Sequence, residues 1–259
     1  QWDQGRMFLY ESGNDAERIL RLMRLPVILL AVALGWLLWR WVDMHFGSRV
    51  ALLTLFFYSL SPTFIAHSRF VTTDLAAAFG FFIGMAAFLL FLKAPTRRNI
   101  LLAGLAFGTA QLLKFSLVLL VPIYGVLLLA WAFSQTQFLW RERIGLFFRL
   151  GSKVIAIVIV AIALIWLAYA YSVWNYPAGR QLRDANFILT SFGSRPAANF
   201  NLWLISRDIT RPLGQYLLGL LMVIQRSSGG NTQYFLGEVS ASGDIRYFPT
   251  LYLLKEPLT

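Results

Sequence analysis

The chain has 259 residues, of which 58% are hydrophobic and only 14% charged. Soluble domains carry about 25% charged residues, so this composition excludes an ordinary soluble fold and points to lipid as solvent. The formal net charge of +11 is spread in small basic groups between apolar runs, the layout of membrane loops rather than of a nucleic-acid groove, and the absence of cysteine removes disulfides and thiolate metal sites.

Residues 1–24 read as an outer juxtamembrane segment. Asn14 is placed to cap a helix, with Asp15 and Glu17 in its first turn. Arg18, Arg21 and Arg24 then recur every three residues, opposite Ile19, Leu22 and Met23, as in a basic amphipathic helix at a membrane surface. Apolar spans follow at 25–42 (led in by Pro26), 50–66, 75–92, 100–113, 116–133 and 154–173. About 20 apolar residues carry a helix across the hydrocarbon core, and only a helix satisfies its own backbone there. The predicted fold class is therefore all-α, a polytopic transmembrane helical bundle over 25–173. Residues 174–259 are richer in Asn, Gly, Ser and Arg, with one apolar stretch at 213–224. They are expected to form an outer-side loop region leading, through Leu251–Leu254, to a further helix. The chain begins at Gln1 without a signal peptide and is expected to be a piece of a longer protein, cut at both ends.

Short loops dense in arginine and lysine mark the cytoplasmic side. Here these are Arg40 and Arg49, then Lys93, Arg97 and Arg98, then Arg141, Arg143, Arg149 and Lys153. The opposite side then receives 1–22, the 67–73 turn, Lys114 and everything beyond about 174. The tail carries Arg180, Arg183, Arg195, Arg207, Arg211, Arg226, Arg246 and Lys255, which hints at an anionic ligand on that side.

Two isolated charges carry the chemistry. Asp74 is the only acidic residue between Met44 and Trp140, at the outer start of the third span. A carboxylate there is costly without a partner or a task. The plain alternative is a helix cap, favoured by the helix dipole and paired with Arg69. Lys114 is the only charge between Arg98 and Arg141. The helix before it spans about 21 Å, less than the ~30 Å core, which sets Lys114 somewhat below the outer surface. It reads either as a snorkelling lysine or as an ammonium held for a phosphate. The span count returns Asp74, Arg69 and Lys114 to one membrane face. Cations there suit a departing lipid phosphate, and a carboxylate suits an acceptor hydroxyl. In the tail, Gly229-Gly230-Asn231, Tyr234–Glu238, Tyr247-Phe248-Pro249 and Lys255–Leu258 form a third cluster. Glu238, Lys255 and Arg226 are its substrate-contact candidates; an ordered surface loop explains the cluster equally well. His45 and His67 lack metal-type spacing and are read as structural. A transporter subunit is the rival function, but transporters gather polar groups near the midplane. The charges here lie toward span ends, which favours an enzyme over a transporter; in a third reading, a structural or assembly membrane protein, Asp74 and Lys114 would be mere anchors.

These residues resemble the lipid-carrier-dependent glycosyltransferases of the C-type fold: the protein O-mannosyltransferases and the bacterial aminoarabinose transferases acting on lipid A. The matching pieces are Ala66-His67-Ser68-Arg69 with Thr73-Asp74, then Arg98-Asn99 leading to Leu102–Gly108, then Leu113-Lys114-Phe115-Ser116. Tyr234–Glu238 with Tyr247-Phe248-Pro249 resembles a later segment of bacterial members, with Arg246 standing where an aromatic is expected. The resemblance implies a multi-pass protein of the inner or plasma membrane whose site faces outside. It implies a polyprenyl-phosphate sugar donor, no nucleotide sugar, no nucleic acid, and an acceptor that is a lipid, a glycan or a protein. Some such enzymes bind a divalent metal. Asp74 matches the second acidic position of these families, and Lys114 a basic position near the carrier phosphate. Their first-loop acidic residue falls before this chain, so the piece alone is expected to be inactive.

Overall fold

The computed structural model describes residues 2–228, 232–241 and 243–255, with the backbone alone at Trp2 and Lys255. They form an all-α membrane bundle with one small hairpin. The chain divides into two compact units, residues 1–79 with 245–259, and residues 80–244.

In the first unit a short helix α1 (Trp2–Arg6) and a π-turn precede the long α2 (Ala16–Phe46). The cap of α2 is Asp15, whose carboxylate accepts from the Arg18 N–H at 3.0 Å. Asn14 is one residue too early, and its amide donates to the Phe8 carbonyl instead. The arginine turns Arg18–Arg24 are the opening of α2 itself, which runs on through Pro26 without a break. Gly47, at φ 84, ends α2 and turns the chain into α3 (Ser48–Leu60). The hairpin closes because the Tyr58 hydroxyl donates to the Ala31 carbonyl at 2.7 Å, with Gly35 facing the Tyr58 ring. α4 (Pro62–Arg69) follows at a 58° bend, where Ser61 is extended and Pro62 opens the new helix.

α5 (Asp74–Lys93) starts in the first unit and continues into the second. There α6 (Arg97–Leu113), a 3₁₀ turn (Phe115–Leu119), α7 (Leu120–Phe133) and α8 (Trp140–Val173) share a core of Phe88, Phe91, Phe107, Leu120, Tyr124 and Ile157. Phe88 and Tyr124 stack with centroids 3.9 Å apart. α6 crosses α8 closely through Gly104 and Gly108: a Cβ on Gly104 would lie 2.6 Å from Val160, and one on Gly108 would lie 3.1 Å from the Ala161 backbone. Small residues four apart are the usual means of close helix approach in lipid. The basic loops also have structural tasks. Lys153 donates to the Pro95 carbonyl, and Arg143 gathers the carbonyls of Phe133, Thr136 and Phe138.

The tail is more regular than its composition suggests. α9 (Ala178–Leu189), α10 (Arg195–Ile205) and α11 (Arg211–Ser228) build a second core from Ala185, Leu189, Ala198, Ile205, Leu218 and Leu221. β1 (Gln233–Phe235) and β2 (Glu238–Ser240) pair antiparallel around Leu236 and Gly237, both at positive φ, and α12 (Tyr247–Lys255) follows.

Among the described residues, four continuous helical stretches are long and apolar enough to cross a membrane: α2, α5, Phe115–Phe133 and α8; α3 and α4 together make a fifth, bent candidate. α6 has 17 residues, about 26 Å, and is packed along α8. Leu29 (67%), Val32 (65%), Ile155 (62%) and Ile159 (61%) lie exposed mid-helix. Contiguous apolar surface of that kind is rare on soluble monomers and is what lipid covers.

Candidate active site

Asp74 is the first residue of α5, its side chain about half exposed, while Leu75 beside it is fully buried and anchors the helix start. The break at 70–73 exists because α4 ends at Arg69 and Phe70 is extended. That break folds the last turn of α4 back onto the mouth of α5. Asp74 Oδ2 lies 3.4 Å from His67 Nδ1, and the Thr72 hydroxyl lies 3.5 Å from the same nitrogen. His67 is thus a partner of the carboxylate, at a place where the cap reading of the sequence paired it with Arg69. Arg69 ends α4 with an exposed side chain. His67, read as structural from its spacing, is a hydrogen-bonding group beside the carboxylate. Its companion His45 does have a packing role, stacked on Trp41 at 4.4 Å with Nδ1 2.8 Å from the Trp41 carbonyl.

Lys114 lies in the second unit, half-buried, as the single extended residue (φ −158, ψ 131) between α6 and the 3₁₀ turn. Its place is fixed from both sides. Gln111, only 4% exposed, donates to the Leu117 carbonyl at 3.0 Å and so bridges the break. The Tyr216 hydroxyl of α11 donates to the Gln111 side-chain carbonyl at 3.1 Å. The Tyr216 ring touches Phe115 and Tyr169, and Gly219 lies flat against the Phe115 ring. The run 100–113 holds two polar side chains, Thr109, half-buried, and Gln111, buried, so a glutamine shortly before a lone lysine is the signal that marks this network.

The remaining candidates come from the tail. Arg226 sits in the last turn of α11 and Glu238 opens β2, both exposed. Lys255 closes α12, but its side chain, like Gly229-Gly230-Asn231 and Glu256–Leu258, lies outside the described residues. Several tail arginines have partners of their own. Arg211 reaches Gln181 and the carbonyls of Val173 and Tyr176, closing the end of α8. Arg195 does the same for Leu189 and Thr190 at the end of α9. These guanidiniums satisfy helix-end carbonyls that lack intrahelical donors. Among the described residues no three His, Cys, Asp or Glu side chains gather as a metal site.

Residues 19–166 match the family described as dolichyl-phosphate-mannose-protein mannosyltransferase. The chain belongs to that family. No curated protein and no solved structure gives a match. Family membership makes this chain a membrane glycosyltransferase of the protein-mannosyltransferase type. The matched residues run from α2 into α8 and include His67, Arg69, Asp74 and Lys114; Arg226, Glu238 and Lys255 lie beyond them.

Proposed function

We propose that the protein transfers a sugar from a polyprenyl-phosphate carrier to a hydroxyl acceptor on the outer face of the cell membrane, with Asp74 as its base. The observation that carries this reading is the His67–Asp74 pair at the exposed mouth of α5, inside the family match. In the proposed step the acceptor oxygen attacks the anomeric carbon. The bond from that carbon to the phosphate oxygen breaks, and its electron pair leaves on the carrier phosphate. Asp74 receives the acceptor proton, and His67 keeps the carboxylate turned toward the acceptor. Arg69 and Lys114 are each proposed as a cation for the carrier phosphate, since a cation stabilises the charge that the phosphate gains. Exposure at the mouth of a lipid-embedded helix favours this use, since an acceptor arrives from water and a carrier headgroup from the interface. Glu238, Arg226 and Lys255 are proposed as outlying substrate contacts.

The test is Asp74→Asn in the full-length protein, assayed for transfer from a purified polyprenyl-phosphate sugar. Asparagine caps a helix about as well as aspartate, so folding is expected to survive. Loss of a charge that acts in the transition state lowers the rate by about 10²–10³-fold. Near-normal transfer by Asp74→Asn would remove Asp74 from the mechanism while leaving family membership intact.

A further inference from the structure

The corner between α10 and α11 presents a surface that neither the proposed chemistry nor the protein core uses. α10 buries Ala198, Asn201 and Ile205 on one face. Its other face carries Phe200 and Trp203, stacked at 5.8 Å, with the Arg207 guanidinium 4.2 Å above the Trp203 ring. Phe200 is 55% exposed, Trp203 45%, and Ile209, at the tip of the corner, 79%. A helix facing water would place polar groups there. Two stacked aromatics under an arginine, with an exposed isoleucine at the tip of the same corner, are instead the composition of an interfacial anchor, apolar body inward and cation at the headgroups.

A second observation fixes the depth. The indole N–H of Trp166 donates to the Ile209 carbonyl at 2.6 Å. Trp166 stands seven residues before the end of α8 at Val173, which is about 10 Å along the helix axis. α8 is one of the helices able to cross the bilayer. The corner is therefore tied to that helix short of its end, and the same end of α8 carries Tyr171 and Trp174, which are 86% and 83% exposed. Aromatic residues of this kind gather at membrane–water interfaces.

We infer that the α10–α11 corner is seated in the lipid layer around the Val173 end of α8, with Phe200, Trp203 and Ile209 at the glycerol–acyl boundary and Arg207 at lipid phosphate. The inference rests on α8 crossing the membrane and not on any role of Asp74 or Lys114. Its occupant is bilayer lipid. It gives the tail helices a second attachment to the membrane besides their chain connection to α8.

The experiment is nitroxide labelling of Ile209→Cys and Phe200→Cys, made singly in the full chain, which has no native cysteine. The labelled proteins are placed in nanodiscs of phosphatidylcholine and phosphatidylglycerol, and collision rates are read with oxygen and with a neutral nickel chelate. Oxygen is expected to exceed nickel several-fold at both positions. Nickel dominance at either position places the corner in water and overturns the inference. Suppression of both reagents means that protein covers the corner and overturns it equally. If Phe200→Cys fails to fold, Ile209→Cys decides, because position 209 bonds Trp166 through its backbone. Adding Arg207→Glu is expected to shift the 209 label toward the nickel chelate; an unchanged ratio would remove the phosphate contact from the proposal.

Discussion

Lys114 and Asp74 lie in different local settings. Asp74 has the mouth of a helix and a histidine seven residues earlier. Lys114 has a buried glutamine bridge and a tyrosine from a distant helix. Lys114→Met keeps the apolar stem and deletes the ammonium. Loss of a charged hydrogen bond is worth about 1.5–3 kcal/mol, so KM for the carrier sugar is expected to rise roughly 10–100-fold with the protein still folded. Steady-state kinetics over a range of donor concentrations check it, and an unchanged KM would leave Lys114 as a snorkelling lysine. Tyr216→Phe tests the network behind it. The change leaves the Gln111 side-chain carbonyl without the Tyr216 hydroxyl and should lower stability by about 1 kcal/mol. Its effect on donor KM should have the same direction as that of Lys114→Met and be smaller. The isolation of both charges is visible in the sequence, because charge in apolar runs is conspicuous. The groups that surround them are not, since His67 beside Asp74 and the Tyr216–Gln111 pair next to Lys114 look like ordinary residues of an amphiphilic turn and an apolar helix.

Helix contacts in this bundle depend on where glycine is used and where it is incidental. Gly104 lies against Val160 and the Ile157 carbonyl, whereas Gly125 of α7 has open space where a Cβ would go. Gly104→Val is expected to force α6 from α8 and cost about 1–3 kcal/mol or more. Gly125→Ala is expected to be neutral or stabilising by about 0.5–1 kcal/mol, through helix propensity alone. Thermal unfolding of the two variants in the same detergent gives the comparison; equal losses would mean that the close crossing is unimportant. At this scale hydropathy makes the apolar helices visible, whereas it says little about the tail. Residues 178–228 look loop-like because Asn, Gly and Arg interrupt them. They fold as helices because Arg195 and Arg211 satisfy the ends of neighbouring helices, and Asn201 donates to the Gly214 carbonyl inside the contact. Such polar residues stabilise helix pairs only once the pairs have formed.

Across the molecule, the distribution of basic residues predicts that 135–153 face the cytoplasm and 174–250 the outside. An impermeant maleimide added to intact cells should label Asn186→Cys at once and Gly145→Cys only after lysis. The reverse pattern would invert the orientation and move the proposed site to the cytoplasmic face. By itself the sequence determined the solvent, the helical class and the position of each charge along its helix. Hydropathy is a sum over neighbours in the chain, and lipid forces each backbone segment to satisfy its own hydrogen bonds. Only the tertiary structure decided which side chains meet. The Tyr216–Gln111 bond joins residues 105 apart, and the His67–Asp74 pair depends on the angle at which α4 folds back onto α5. Those contacts are set by helix rotation, by small residues that allow close approach and by side-chain reach, none of which a one-dimensional pattern of polarity contains.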